Sequence, residues 1–85
     1  MTSGTIEEQT RACLAAIGET LALAGCGLED IVKSMVWLKS REDFPRFDSV
    51  YAEYFPESPP ARSGLVSDFL VDIRVEIECV AYKPL

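Results

Sequence analysis

Apolar residues recur at helical spacing near the start of the chain, where Ile6, Cys13, Leu14, Ile17, Leu21 and Ala24 fall on one stripe. Thr5 to Glu8 reads T-x-x-E, a capping box in which the two residues satisfy each other's free helix-end N–H groups. Gly25 and Gly27 supply the backbone freedom of a helix exit, so the pattern predicts a helix over about 5–24. The segment IVKSMVWL at 31–38 is short, rich in β-branched and aromatic residues, and apolar on much of both faces. It predicts a strand interior to a sheet. A second helix is expected over 43–55, capped by Asp43, with Pro45 in its first turn. Phe44, Phe47, Tyr51 and Tyr54 or Phe55 form its buried side. Pro56, Pro59 and Pro60 end it and force an extended approach into the next segment.

Two more strands are expected, over 62–69 and 72–83. In the second, Ile73, Val75, Ile77, Cys79 and Ala81 alternate with Arg74, Glu76, Glu78, Val80 and Tyr82. One face must cover the helices; the other carries two acids and a base, and meets water, a ligand or another subunit. The order α-β-α-β-β describes one α+β domain over 1–85, two helices on one face of a small mixed sheet. Sequence adjacency by itself favours a hairpin of the last two strands.

Composition narrows the function. Eighty-five residues, 48% hydrophobic and 26% charged, make one small globular domain. No apolar run approaches the ~20 residues of a membrane helix, and residues 1–10 have neither a basic start nor an apolar signal core. The cytoplasm is the expected compartment. The net charge of −6, with eight cations scattered from Arg11 to Lys83, offers no basic stripe for nucleic acid. There is no histidine, and the three cysteines show no CxxC spacing. Zinc sites, Cys–His and Ser–His–Asp chemistry are thereby removed in their usual forms. Cys13 and Cys79 read as small buried hydrophobes; Cys26, between two glycines, reads as open to solvent but with nothing beside it to lower its pKa.

Several stretches carry a family likeness: G-T-I-E-E-Q-T-R at 4–11, G-L-E-D-I-V-K at 27–33, E-D-F-P-R-F-D-S-V-Y-A-E-Y-F-P at 42–56, P-P-A-R-S at 59–63 and V-E-I-E-C-V-A at 75–81. In this order the chain resembles the C-terminal two-thirds of a Rid-family protein (reactive intermediate deaminase, YjgF-like, also described as L-PSP endoribonuclease-like). The resemblance implies a chorismate-mutase-like fold, with the final strand antiparallel beside 31–38, and a homotrimer with ligand sites between subunits. It implies hydrolysis of reactive enamines and imines to 2-keto acids and ammonia, with neither cofactor nor metal. It assigns the substrate carboxylate to Arg62 and the attacking water to Glu76. Two departures stand out: the strands that precede the first helix in the family have no counterpart here, and the segment between Arg62 and Glu76 lacks the family's Leu-Pro turn.

The residues themselves allow plainer readings. The planar fork of Arg62 suits a carboxylate, yet a surface arginine lying over apolar neighbours is the simpler account until the P-P-A-R-S context is weighed. Glu76 has a general base's chemistry, with a place on a solvated polar face as the equal alternative. Glu78 and Arg74, on the same parity, read as a solvated face with a local ion pair. Ser63 and Ser67 are further hydroxyls in reach of a ligand, Ser63 bonding locally in the simpler account. Trp37, Tyr51, Tyr54 and Tyr82 suggest an aromatic ligand box, but the two helix tyrosines read more simply as core with hydroxyls reaching water. Three classes stay open: the deaminase, a non-catalytic small-carboxylate binder, and an interaction protein, the last favoured if Arg62 is locked in an ion pair. A ribonuclease role fits poorly with the acidic charge.

The pattern also sets two geometric expectations. Arg62 and Glu76 should project from the sheet face opposite the helices, toward a cleft shared with another subunit. Strand 72–82 should form a long edge, so that the chain associates as the family trimer, by antiparallel pairing of two such strands, or both.

Overall fold

The computed structural model describes residues 4–56, 61–70 and 73–82. Helix α1, Ile6–Leu23, starts at the expected capping box, with Thr5 Oγ1 accepting from the Glu8 N–H at 3.1 Å and Glu8 Oε1 accepting from the Thr5 N–H at 3.0 Å. Its exit turns at Gly25, whose φ of 76° lies in the left-handed region that glycine adopts at little cost. Strand β1, Ile31–Leu38, comes after a 3-10 turn. Helix α2 covers Phe44–Tyr54, β2 Ala61–Val66 and β3 Val75–Ala81.

The sheet order is β2-β1-β3. β1 is therefore interior, as its two apolar faces require. β2 runs parallel to β1, joined through α2, and β3 runs antiparallel to it. The family arrangement thus prevails over a hairpin of the last two strands. The last two strands are shorter than expected: β2 ends at Val66, although the Ser67 N–H still donates to the Leu38 carbonyl at 2.9 Å. Ile73 and Arg74 precede β3, and the expected ends of that strand at Asp72 and Lys83 lie outside the described residues.

The core forms where both helices cover one sheet face. Ile6 and Leu14 of α1, Phe47, Tyr51 and Phe55 at α2, and Ile31, Val36, Leu38 and Val75 of the sheet are buried together. Two details differ from the sequence reading. Phe44, expected in the core, is 44% exposed, because it opens α2 at the rim of the sheet. Asp43 makes no capping bond; its carboxylate lies 3.9 Å from Arg74, while Ser40 caps the preceding turn by accepting from the Glu42 N–H at 3.3 Å. Arg74 therefore pairs away from Glu76 and Glu78, and its own N–H donates to Gln9 Oε1 at 2.8 Å, tying the start of β3 to α1.

Candidate functional site

Strand alternation decides where the two expected site residues point. Arg62 pairs in register with Ser34, and Ser34 with Cys79, on the face that the helices cover. Glu76 pairs with Trp37 on the other face, its neighbours Val75 and Ile77 turning inward. Glu76 does project away from the helices as expected. Arg62 does not, and this corrects the sequence reading: a residue at the second position of β2 shares its parity with buried Ser34 and must lean toward α2.

The Arg62 guanidinium rests on an aromatic shelf built by α2. Its central carbon lies 4.8 Å from the Tyr51 ring centroid, 5.6 Å from Phe44 and 5.8 Å from Phe47, within reach of the attraction between a cation and a ring face. The shelf exists because positions 44, 47 and 51 share one side of the helix. It is itself fixed from below. The Tyr51 hydroxyl donates to Ser34 Oγ at 2.9 Å, and Ser34 Oγ lies 3.6 Å from Cys79 Sγ, all of it packed between α2 and the sheet. The Tyr51 hydroxyl is thus buried and bonded, not in water as the sequence suggested. Burial pushes its pKa above the ordinary phenol value, and likewise raises the Cys79 and Cys13 thiols, which stay protonated at neutral pH.

Arg62 Nη1 also donates to Asp48 Oδ1 at 2.7 Å. The pair is 27% and 46% exposed, so it is an interfacial contact worth only ~0.2–1 kcal/mol. It uses one of the guanidinium's five N–H groups. Beside it opens a cleft of about 360 Å³ with apolar walls, including Val36, Leu38 and Phe47, and with Arg41 as a second cation. Gly64 helps keep that space open, since a Cβ there would meet nothing within 4 Å. Glu76 lines a separate cleft of about 310 Å³ with Trp37, Ser67 and Asp68. Within one chain the sheet therefore separates Arg62 from Glu76. Of the two serines singled out, Ser67 donates to the Asp68 carbonyl at 3.1 Å, and Ser63 stands on the Trp37 side, opposite Met35.

Sequence reading missed Asp48, Arg41 and the role of the aromatic shelf. The 44, 47, 51 spacing does signal the shelf, but a purely core role accounts for that spacing equally well. Asp48, one position on from Phe47, carries no signal until Arg62 is known to lean toward α2.

The geometry defines a class: an α+β protein with a carboxylate-sized cation on an aromatic shelf, beside an apolar cleft. Comparison with known proteins agrees with the fold. The family model described as Endoribonuclease L-PSP matches residues 1–83, and the chain belongs to that family, the Rid/YjgF group its motifs resemble. It is 47% identical over 81 residues to a RutC family protein of Pyrococcus horikoshii, covering 94% of this chain and 64% of that protein. It is 36% identical over 80 residues to Reactive Intermediate Deaminase A, chloroplastic, of Arabidopsis thaliana, covering 93% of this chain and 43% of the relative. Among solved structures, yeast Mmf1 superposes with a TM-score of 0.91 at 30% identity, over 96% of this chain and 66% of that one. The chain thus spans less than two-thirds of the length of the Pyrococcus relative. No helix among the described residues is long and apolar enough to cross a membrane.

Proposed function

We propose that the chain hydrolyses small α-imino acids to 2-keto acids and ammonia, acting as a homo-oligomer. The observation that carries this reading is Arg62, seated on three rings at the mouth of an apolar cleft with most of its N–H groups uncommitted by the Asp48 bond. A planar, permanently charged fork held in place is what a substrate carboxylate needs. A relative named Reactive Intermediate Deaminase supports the reaction class. In the reaction, water adds to the carbon of the protonated C=N bond, and the adduct collapses as the C–N bond breaks. The products are the keto acid and ammonium, with no electron transferred. Imines hydrolyse readily, so positioning and electrostatics suffice.

Glu76 holds the water in this reading. Because Arg62 and Glu76 lie on opposite faces of one sheet, they can act on one substrate only if different chains supply them. The outer sheet face suits such association: exposed Leu65 and Val80 flank half-buried Met35 and Trp37 there, an apolar surface rimmed by acids. A trimer is the form the family resemblance favours. The family's endoribonuclease label has less to support it here, given the net charge of −6.

The Arg62–Asp48 bond favours a second reading, a non-catalytic binder of small carboxylates in which Arg62 is only a docking point. A coupled assay separates the two. 2-Iminopropanoate is generated in place and its clearance to pyruvate is monitored with wild type and Arg62→Ala. Accelerated clearance that Arg62→Ala abolishes supports the deaminase. Pyruvate binding without acceleration leaves the binder, and neither leaves no role for the cleft.

A further inference from the structure

Arg62 and Asp48 present a fixed positive and a fixed negative group 2.7 Å apart. The aspartate is not the arginine's only contact: the rings of Phe44, Phe47 and Tyr51 also lie against it. Asp48 is nearly half exposed, at the rim and not in the wall of the cleft beside Arg62, and a carboxylate keeps lone pairs beyond the one that Arg62 uses. Each charge also weakens the other's partner: a bare anion approaching Arg62 meets the Asp48 carboxylate at the same time.

A protonated α-imino acid has the opposite arrangement. Its carboxylate and its C=NH2 cation stand on adjacent carbons, a short pair of charges that matches Arg62 and Asp48 in reverse. The keto acid product keeps the carboxylate but loses the N–H donor. Deepening the deaminase reading, and resting on it, we propose that Asp48 is a substrate-binding residue: its carboxylate accepts a hydrogen bond from the iminium N–H of an α-imino acid whose carboxylate Arg62 holds. The site is then selective for the zwitterionic iminium over the anionic keto acid. That bond stabilises the protonated iminium, the form most open to water, and its loss on hydrolysis favours product release. Glu76, across the sheet, is not needed for this recognition.

The test compares two stable probes that differ in the cationic nitrogen: pyruvate, an anion, and L-alanine, a zwitterion. Calorimetric titration of the 85-residue chain is run for wild type, Asp48→Asn and Arg62→Ala. Asparagine keeps the shape and fits the same helix position, so folding is not at stake; circular dichroism checks it. A charge-assisted hydrogen bond exchanged for a neutral one changes affinity by roughly tenfold. Asp48→Asn should weaken L-alanine binding roughly tenfold and strengthen pyruvate binding a few-fold, effects of opposite sign. In the imine-clearance assay it should raise KM and deepen inhibition by pyruvate. Equal shifts for both probes, or an unchanged L-alanine affinity, would overturn the proposal and leave Asp48 as an ion-pair partner only. In that case pyruvate binding lost in Arg62→Ala would still uphold the Arg62 reading. Failure of wild type to bind either probe would overturn both.

Discussion

Ser34→Ala perturbs the support of the site without touching a charged group. Ser34 is wholly buried, and Tyr51 is 3% exposed. The serine oxygen accepts the tyrosine hydroxyl at 2.9 Å. Alanine removes that acceptor while the aromatic ring stays packed against Phe47 and Phe55, with centroids at 5.4 and 4.7 Å. A buried donor left unsatisfied costs about 1–3 kcal/mol, taken here as about 2. For a domain of this size, about 1 kcal/mol corresponds to roughly 4–8 °C in Tm, so a fall of roughly 8–16 °C is expected. Tyr51→Phe deletes the donor instead and should cost less, about 1 kcal/mol. The double variant Ser34→Ala, Tyr51→Phe should cost less than the sum of the two, because neither partner is then left alone. Thermal and urea unfolding by circular dichroism read all four proteins. An unchanged midpoint for Ser34→Ala, or strict additivity in the double variant, would refute the reasoning that this hydrogen bond anchors the shelf under Arg62.

The same geometry carries three further expected outcomes. Arg62→Lys keeps the charge but loses the planar fork and the ring stacking, and calorimetry should show pyruvate binding weakened roughly tenfold; equal affinity would remove Arg62 from the site. Burial raises the Cys13 and Cys79 thiols and the Tyr51 phenol above their ordinary values of 9.0 and 10.0, so the folded state holds these protons more tightly than the unfolded chain. Their contribution to stability is fully present below those ordinary values and is lost as pH rises from them through the raised folded-state values, so the urea midpoint should fall in alkali, and a flat profile there would contradict the shifts. The 85-residue chain should not sediment as a monomer. Amide exchange locates the contact: the Lys39 N–H donates to the Arg74 carbonyl, which points even-numbered β3 amides at β1 and leaves those of Val75, Ile77 and Cys79 at the outer edge. Slow exchange at those three marks strand pairing; fast exchange in an oligomer marks association through the outer sheet face.

Much of this fold was legible because local signals and packing agreed. The capping box, the β-branched run at 31–38 and the alternation after Arg74 each had a single physical solution, and the strand limits of β1 coincide with the expected ones. Topology was not legible from the residues themselves: a hairpin of the last two strands was the local choice, and only family likeness placed β3 beside β1. The site was half legible. Residue type and motif marked Arg62 and Glu76 as candidates, but the face each occupies depends on register against β1, which no residue in β2 announces. A one-residue difference in that register would have moved Arg62 to the other side. Asp48 and Arg41 were invisible for the same reason, since their meaning comes from where Arg62 leans.

The central claim is that Arg62 of one chain and Glu76 of another act on the same imino acid. Arg62→Ala and Glu76→Gln proteins, each purified, are mixed under conditions that exchange subunits, and imine clearance is measured on the mixture. The account predicts that each parent is inactive and that the mixture regains activity, since hybrid interfaces carry one intact Arg62 and one intact Glu76. A mixture as inactive as its parents, beside an active wild type and with exchange demonstrated, would contradict it.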